Sequence, residues 1–224
     1  MNIKGRHFLT LKDYRADEIT EMLDYARQLK QAFKQGQSST LMEGKMMAMI
    51  FQKPSLRTRV SFETGMFQLG GSALNLGPSD IGLGKRESVE DIAKVLSAQV
   101  DIIMARVFGH EIVVELAEFS SVPVINGLSD FTHPCQALAD FQTIQESGKD
   151  FEGLKLTYIG DGNNVANSLV FGGVTVGMQV FVASPKGFQV SEEVQSWAQQ
   201  VGYETGGSLT VTENFQDAAQ SADV

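Results

Sequence analysis

The sequence has few of the residues on which several protein classes depend. Cys135 is its one cysteine, so no disulfide can form within the chain, and the three histidines, His7, His110 and His133, are far apart. This spacing matches no zinc-binding motif. No run of 18 apolar residues is present, and the first residues contain no apolar segment typical of a secretory signal. We therefore expect a cytoplasmic protein with no structural metal and no membrane association.

Positive charge is also scarce. The chain carries 18 Lys and Arg against 27 Asp and Glu, a net charge of -9, and its acidic residues continue after residue 187, where Lys and Arg are absent. A protein of this charge repels polyphosphate, so nucleic-acid binding would require a local basic patch. We predict that its partners are small molecules and not nucleic acids.

Short apolar runs alternate with longer amphipathic stretches along the chain. Strands are predicted over Met46–Phe51, Ala73–Leu76, Ile102–Ala105, Val122–Ile125, Leu156–Ile159 and Val180–Ala183. Helices are predicted over Ala16–Gln35, Leu56–Leu69, Val89–Ala98, Glu111–Ser120, Pro134–Glu146, Val165–Val176 and Ser191–Val201. This alternation is typical of βαβ units, so the predicted fold class is α/β with parallel sheets.

A polar stretch with two glycines, from Ser147 to Gly153, separates a predicted helix from a new strand and predicts a domain boundary. We expect two parallel-sheet α/β domains, over residues 1–148 and 149–224. The second has two predicted strands and an acidic, almost featureless end, too few strands for a doubly wound sheet. It is therefore expected to be incomplete in this chain, the alternative being a compact half-domain.

The first candidate ligand site follows the first predicted strand. Ser55 is a predicted helix N-cap, which places Leu56, Arg57 and Thr58 in the first helical turn. Unpaired backbone N–H groups and the positive end of the helix dipole favour an anion there. The segment thus predicts phosphate binding, although an ordinary capped helix would show the same pattern.

Two arginines of this segment are predicted to have different roles. Arg57 and Arg59 are separated by about 200° around a helix, so both cannot serve one ligand. Arg59 lies four residues before Glu63, the spacing of an ion pair on a helix surface. We assign Arg57 to the ligand and Arg59 to the structure of the helix.

A second candidate site follows the fourth predicted strand. His133 precedes Pro134, a residue suited to the first helical position, so His133 and Gln136 are expected at the carboxyl end of a parallel strand. A neutral imidazole and an amide there are suited to binding a carbonyl and an amine, or His133 packs on its loop. Cys135 lies beside them, but no partner histidine with an orienting group is identifiable for thiol catalysis.

The glycine-rich turn GDGNN at residues 160–164 follows the fifth predicted strand and suggests dinucleotide binding. However, Val165 replaces the third glycine of G-x-G-x-x-G, and the next strand is not followed by an acidic residue for the ribose. We therefore expect no NAD binding and no other cofactor. Asn163 and Asn164 are candidates for binding a zwitterionic substrate or for holding the turn.

A separate polar loop at residues 77–88 carries Lys85 and Arg86 and is long enough to reach another subunit.

Four segments, in this order, resemble the aspartate/ornithine carbamoyltransferase family, and within it the members that act on ornithine. They are KPSLRTR at residues 53–59, MAR at 104–106 followed by FGH at 108–110, HPCQ at 133–136 and GDGNN at 160–164. The resemblance implies transfer of the carbamoyl group of carbamoyl phosphate to the side-chain amine of L-ornithine, giving L-citrulline and phosphate, as in arginine biosynthesis or catabolism. It also implies a homotrimer, or a multiple of trimers, of two-domain subunits with active sites between neighbours.

The resemblance also implies roles for individual residues. Carbamoyl phosphate would be bound by Ser55, Leu56, Arg57, Thr58, Arg106, His133, Gln136 and Lys85. Among these, Arg106 and His133 would be catalytic and polarise the carbonyl, and Gln136 would contact the carbamoyl nitrogen. Asn164 would hold the backbone of ornithine, and Lys85 lies in the loop that reaches an adjacent subunit.

Two features depart from the family pattern. Leu56 stands where Thr is commonest, a variation also found in members that use acetylated ornithine, so N-acetylornithine is an alternative acceptor. The family's Asp-x-x-x-Ser-Met-Gly acceptor motif, its His-Cys-Leu-Pro loop and its final helix lie beyond Val224. The resemblance therefore implies a chain truncated at its C-terminus, with little transferase activity of its own, or a non-catalytic phosphate-binding fragment.

Overall fold

Seven parallel strands form two sheets in the residues that the computed structural model describes, 3–83 and 86–224. The first sheet has the order β2-β1-β3-β4, formed by β1 Met46–Phe51, β2 Ser72–Leu76, β3 Ile102–Arg106 and β4 Val124–Leu128. The second has the order β5-β6-β7, formed by β5 Lys155–Ile159, β6 Gln179–Ala183 and β7 Ser208–Thr212. The predicted α/β fold with two parallel sheets is confirmed.

Helices lie before, between and after these strands. Their bounds are α1 Ala16–Lys34, α2 Leu56–Gln68, α3 Pro78–Ile81, α4 Val89–Ser97, α5 His110–Phe119, α6 Pro134–Glu146, α7 Asn164–Thr175, α8 Glu192–Thr205 and α9 Phe215–Ala219. In the part of the chain that is described, none of the helices is long and apolar enough to span a membrane. Each predicted helix is present, whereas α3 and α9 are additional to the prediction.

The residues after Val201 correct the expectation of an almost featureless acidic end. Strand β7 pairs with β6 in parallel, from Gln179 opposite Ser208 to Ala183 opposite Thr212. As an edge strand it has one neighbour and needs no continuous apolar run, which explains why an apolar-run criterion misses it. The side chain of Asn214 then caps α9 by accepting hydrogen bonds from two backbone N–H groups.

Contacts divide the chain into two compact units. The four-stranded unit contains the chain up to Leu9 and residues 26–130, and the three-stranded unit contains residues 10–25 and 131–224, in each case within the described ranges. Helix α6 therefore belongs by its contacts to the three-stranded unit, although it precedes residue 148. The domain boundary between residues 148 and 149 stays a prediction.

In the four-stranded unit, β1 is buried on both faces. Ala48 and Ile50 lie in one apolar cluster with residues of α4 and α5, while Met47, Met49 and Phe51 lie in the other, with Met66 of α2. Burial on both faces explains why β1 is a continuous apolar run. Strand β1 lies between β2 and β3, so its carboxyl end, which leads into α2, is at the centre of the sheet.

In the three-stranded unit, α7 is buried along almost its whole length. Its Phe171 packs edge-on against Trp197 of α8, with ring centroids 4.8 Å apart. The next residue is Gly172, where a Cβ would lie 2.3 Å from Phe141 Cε2 and 2.8 Å from Leu11 Cδ1. Both neighbours are fully buried, so the absence of a side chain at Gly172 allows this close packing.

We predict that Gly172→Ala destabilises the protein by about 1–3 kcal/mol, because its methyl group overpacks a core with no room for it. Gly65→Ala is the matched control, since Gly65 also lies in a helix but has no atom within 4 Å of an added Cβ. The control is expected to stabilise the protein by up to about 1 kcal/mol through helix propensity. Urea unfolding followed by circular dichroism measures both changes, and a neutral Gly172→Ala would contradict the packing described.

Candidate active site

The N-terminus of α2 has the predicted cap. Ser55 precedes the helix in an extended conformation, and its Oγ accepts a hydrogen bond from the Thr58 backbone N–H at 3.4 Å. The backbone N–H groups of Leu56 and Arg57 precede the first intrahelical donors, so they are directed out of the helix end. The side chain of Leu56 is 80% exposed and forms no part of the cap.

The hydroxyl of Thr58 joins this helix end to the end of β3. Thr58 Oγ1 accepts hydrogen bonds from Ser55 Oγ and from Arg106 Nη1, each at 3.0 Å. Arg106 is the last residue of β3 and lies opposite Phe51, the last residue of β1. The structure therefore brings together three of the predicted site residues, Ser55, Thr58 and Arg106.

Arg106 is partly buried and has unused donor capacity. Its Nε is buried and has no hydrogen-bond partner among the described residues. Burial lowers the pKa of Arg106, but an arginine pKa is so high that the side chain stays charged at neutral pH. A buried N–H without a partner is unfavourable, so an oxygen acceptor bound beside Arg106 would be stabilised.

A β-bulge next to Arg106 was not anticipated from the sequence. Ala105 lies opposite Asn126 of β4 but Arg106 lies opposite Leu128, so Gly127 is the extra residue. A Cβ at Gly127 would lie 2.5 Å from Sδ of the fully buried Met104, so a larger residue there would require the Met104 side chain to move. Bulges redirect the side chains next to them, and a glycine inside a strand pattern is the signal that indicates this one.

The two arginines of α2 differ as expected. Arg59 Nε lies 3.2 Å from Glu63 Oε2, which confirms the predicted helix-surface ion pair. Arg57 is exposed, and its guanidinium forms no hydrogen bond or ion pair within residues 3–83 and 86–224. The structure thus leaves Arg57 available to a ligand without placing its side chain in the Thr58 cluster. Lys85 lies outside the described residues.

In the three-stranded unit, Ser168 links His133 to Asn164. The backbone N–H of His133, the N-cap of α6, donates to Ser168 Oγ at 2.8 Å, and Ser168 Oγ donates to the carbonyl of Asn164 at 2.9 Å. Ser168 is fully buried, and nothing in the sequence pattern singles it out. It fixes two predicted site residues, one at the start of α6 and one at the start of α7, relative to each other.

The remaining predicted residues at these helix starts have separate partners. Asn163 caps α7 through hydrogen bonds from Val165 and Ala166 N–H to its Oδ1, so of the two adjacent asparagines it is the one that holds the turn. Gln136 Nε2 donates to Asp140 Oδ1 at 2.9 Å. Burial raises the pKa of Cys135 to about 12, which argues against a reactive thiolate.

Residues 6–146 match the aspartate/ornithine carbamoyltransferase carbamoyl-P binding domain, and residues 152–224 match the Asp/Orn binding domain of the same family. The chain belongs to the aspartate/ornithine carbamoyltransferase family. Its family is therefore one of transferase enzymes.

Relatives of this carbamoyltransferase are similar over its whole length. It is 51% identical to the ornithine carbamoyltransferase of Pyrococcus abyssi, with 100% of this chain aligned to 71% of that protein. It is 50% identical, with the same coverage, to the enzyme of Pyrococcus furiosus named as anabolic. The solved ornithine carbamoyltransferase structure from Pyrococcus furiosus matches 100% of this chain and 71% of its own, at 50% identity and a TM-score of 0.98. The Campylobacter jejuni structure matches 97% of this chain and 71% of its own, at 37% identity and a TM-score of 0.92.

We predict that Arg57→Ala weakens binding of phosphonoacetamide, in which a methylene group replaces the bridging oxygen of carbamoyl phosphate. The expected loss is about 1.5–3 kcal/mol, the usual range for a hydrogen bond to a charged group. Arg59→Ala removes the same charge two residues away, but its arginine is paired with Glu63, so a change below about 0.5 kcal/mol is expected. Calorimetry measures both affinities, and equal losses would show that net charge, rather than contact with Arg57, drives binding.

Proposed function

We propose that this carbamoyltransferase moves the carbamoyl group of carbamoyl phosphate to the side-chain amine of L-ornithine, giving L-citrulline and phosphate. The observation that carries the proposal is the hydrogen-bonded group of Ser55, Thr58 and Arg106 at the N-terminus of α2. Membership of the family and the names of the relatives support the choice of donor and acceptor.

The phosphate of the donor is assigned to the end of α2. The N–H groups of Leu56 and Arg57 and the positive helix dipole favour an anion there. Thr58 Oγ1 accepts two hydrogen bonds, so its own hydrogen is available to donate to a phosphate oxygen. Leu56 contributes through its backbone, which explains how this position tolerates an apolar side chain.

The carbamoyl group is assigned to Arg106, His133 and Gln136. Arg106 is charged and has a buried N–H without a partner among the described residues, so it is suited to polarise the carbonyl oxygen. The resemblance to the family supports His133 as the second polarising group and the amide of Gln136 as the contact to the carbamoyl nitrogen. Donors that stabilise the oxyanion of a tetrahedral intermediate typically contribute large rate effects.

Ornithine is the proposed acceptor, with Asn164 holding its backbone groups. Its side-chain amine has a pKa of about 10 in water and must lose a proton to solvent before it attacks. The neutral nitrogen then bonds to the carbonyl carbon, the carbon–oxygen bond to phosphate breaks, and the departing phosphate keeps the electron pair. The second amine proton passes to phosphate or solvent. Holding both substrates in reacting geometry supplies much of the acceleration.

We expect donor-dependent citrulline formation from a fusion of these 224 residues to the part of the Pyrococcus abyssi enzyme that they do not cover. Arg106→Ala in this fusion should lower kcat by at least about 100-fold, because a donor to the oxyanion is lost. Asn164 is the one residue assigned to ornithine in the 224 residues, so these residues alone are expected to form little citrulline. Colorimetric detection of citrulline is the measurement.

N-acetylornithine serves as a comparison acceptor in this assay, and a separate titration tests whether NAD binds. Product from N-acetylornithine but not from ornithine would show that N-acetylornithine, and not ornithine, is the acceptor. Binding of phosphonoacetamide without product from either amine would favour a non-catalytic phosphate-binding protein, and NAD binding would favour a dinucleotide enzyme. Unchanged kcat in Arg106→Ala would contradict the role assigned to this arginine.

We further propose that the chain forms a homotrimer, or a multiple of trimers. Exposed apolar side chains on α2 and β2 of the four-stranded unit support an interface there, with Val60 51%, Phe67 79% and Leu74 47% exposed. Phe67→Glu is expected to dissociate the assembly because it places a charge at an apolar contact. Sedimentation equilibrium of both proteins tests this, and a wild-type monomer at all concentrations would contradict it.

A further inference from the structure

Gln136, which is assigned to the carbamoyl nitrogen, forms a hydrogen-bonded pair on α6 with Asp140, a residue that has no role in the proposed mechanism. Gln136 lies in the first turn of the helix, and its side chain is exposed. Gln136 Nε2 donates to Asp140 Oδ1 at 2.9 Å, one helical turn further along. The two ends of the glutamine amide have opposite hydrogen-bonding character, because the nitrogen donates and the oxygen accepts.

Asp140 is partly buried beside a small cavity, among side chains that cannot replace Gln136 as its donor. The cavity walls include Ile144 and Leu156, and burial of its carboxyl group raises the pKa of Asp140 above its usual value. Two hydroxyls also line the cavity, but Thr143 donates to the carbonyl of Ala139 and Thr157 donates to that of Ala218. Within the described residues, Gln136 is the one side chain that donates to Asp140.

An ionised carboxylate accepts hydrogen bonds and cannot donate them. Asp140 therefore selects one of the two orientations of the Gln136 amide, with Nε2 directed at the carboxylate and Oε1 left for another partner. The nitrogen of a carbamoyl group carries hydrogens, and its lone pair is delocalised into the carbonyl. It is thus a donor that requires an acceptor such as Oε1.

We propose that Asp140 is a positioning residue, which orients the Gln136 amide so that Oε1 accepts a hydrogen bond from the N–H₂ group of the carbamoyl donor. This inference rests on the proposed function and deepens it. It names the residue that makes the site selective for a carbamoyl N–H₂ group over other acyl phosphates. A glutamine without Asp140 would be free to present Nε2 instead, which would leave two N–H donors facing each other.

The test compares two ligands that differ in one group. Phosphonoacetamide carries the N–H₂ of the donor, whereas acetonylphosphonate has a methyl group in its place. We expect the wild-type chain to prefer phosphonoacetamide by about fivefold, as one hydrogen bond supplies. In Asp140→Asn the preference should fall below about twofold, because asparagine can donate to Gln136 Oε1 and release the amide from its orientation. Calorimetry with the whole chain measures both affinities.

Three further variants separate positioning from a structural effect. Asp150→Asn makes the same chemical change at an exposed position after α6 and should keep the preference. Gln136→Met removes the amide and should abolish the preference while Asp140 remains, which also provides the test if Asp140→Asn does not fold. In the double variant, Asp140→Asn should add nothing to Gln136→Met, because residues that act through one another are not additive.

The outcomes distinguish this inference from the function on which it rests. Loss of the preference in Asp140→Asn and Gln136→Met, with the preference kept in Asp150→Asn, supports it. A preference retained in Asp140→Asn, or one absent from a wild-type chain that binds both ligands, overturns the inference alone. Failure of the wild-type chain to bind either ligand overturns the proposed donor site and the inference with it.

Discussion

The pairing of β1 with β3 in parallel, with Phe51 opposite Arg106, is the constraint on which the candidate site depends. It ends both central strands at the same level of the sheet, so the helix that follows β1 starts beside the last side chain of β3. The hydroxyl of Thr58 can then accept hydrogen bonds from Ser55 and Arg106 together. A helix end that favours anions and a charged arginine thereby act on one volume.

The three-stranded unit reaches a comparable result through packing. Helix α7 is buried along almost its whole length, and Gly172 allows it to pack closely against Phe141 and Leu11. This contact holds α7 and α6 together, and the Ser168 hydroxyl links the starts of the two helices. The polar groups of these helix starts are thus held by a core that takes no part in the chemistry, as preorganised sites require.

Features of the site that arise within a few residues of chain could be predicted from the sequence. The Ser55 cap, the ion pair of Arg59 with Glu63 and the start of α6 at Pro134 are examples. Each of these features depends on helix geometry and on residues within about one helical turn of each other, so the spacing of residues in the sequence specifies it. The edge strand β7 could not be predicted in the same way. It has one neighbouring strand and a half-buried face, so its sequence shows only a short alternation of apolar and polar residues.

The sequence by itself determined the α/β class, the two parallel sheets and the residue types at each helix start, because local periodicity and capping are written in neighbouring residues. Only the tertiary structure decided that Arg106 meets Thr58, that Gly127 forms a bulge beside it and that Ser168 joins His133 to Asn164. Arg106 is 48 residues from Thr58 and Ser168 is 35 residues from His133, and the bulge depends on the register of two strands. The two contacts follow from how whole elements pack, and the glycine at position 127 marks the bulge in the local sequence without giving the register of its partner strand.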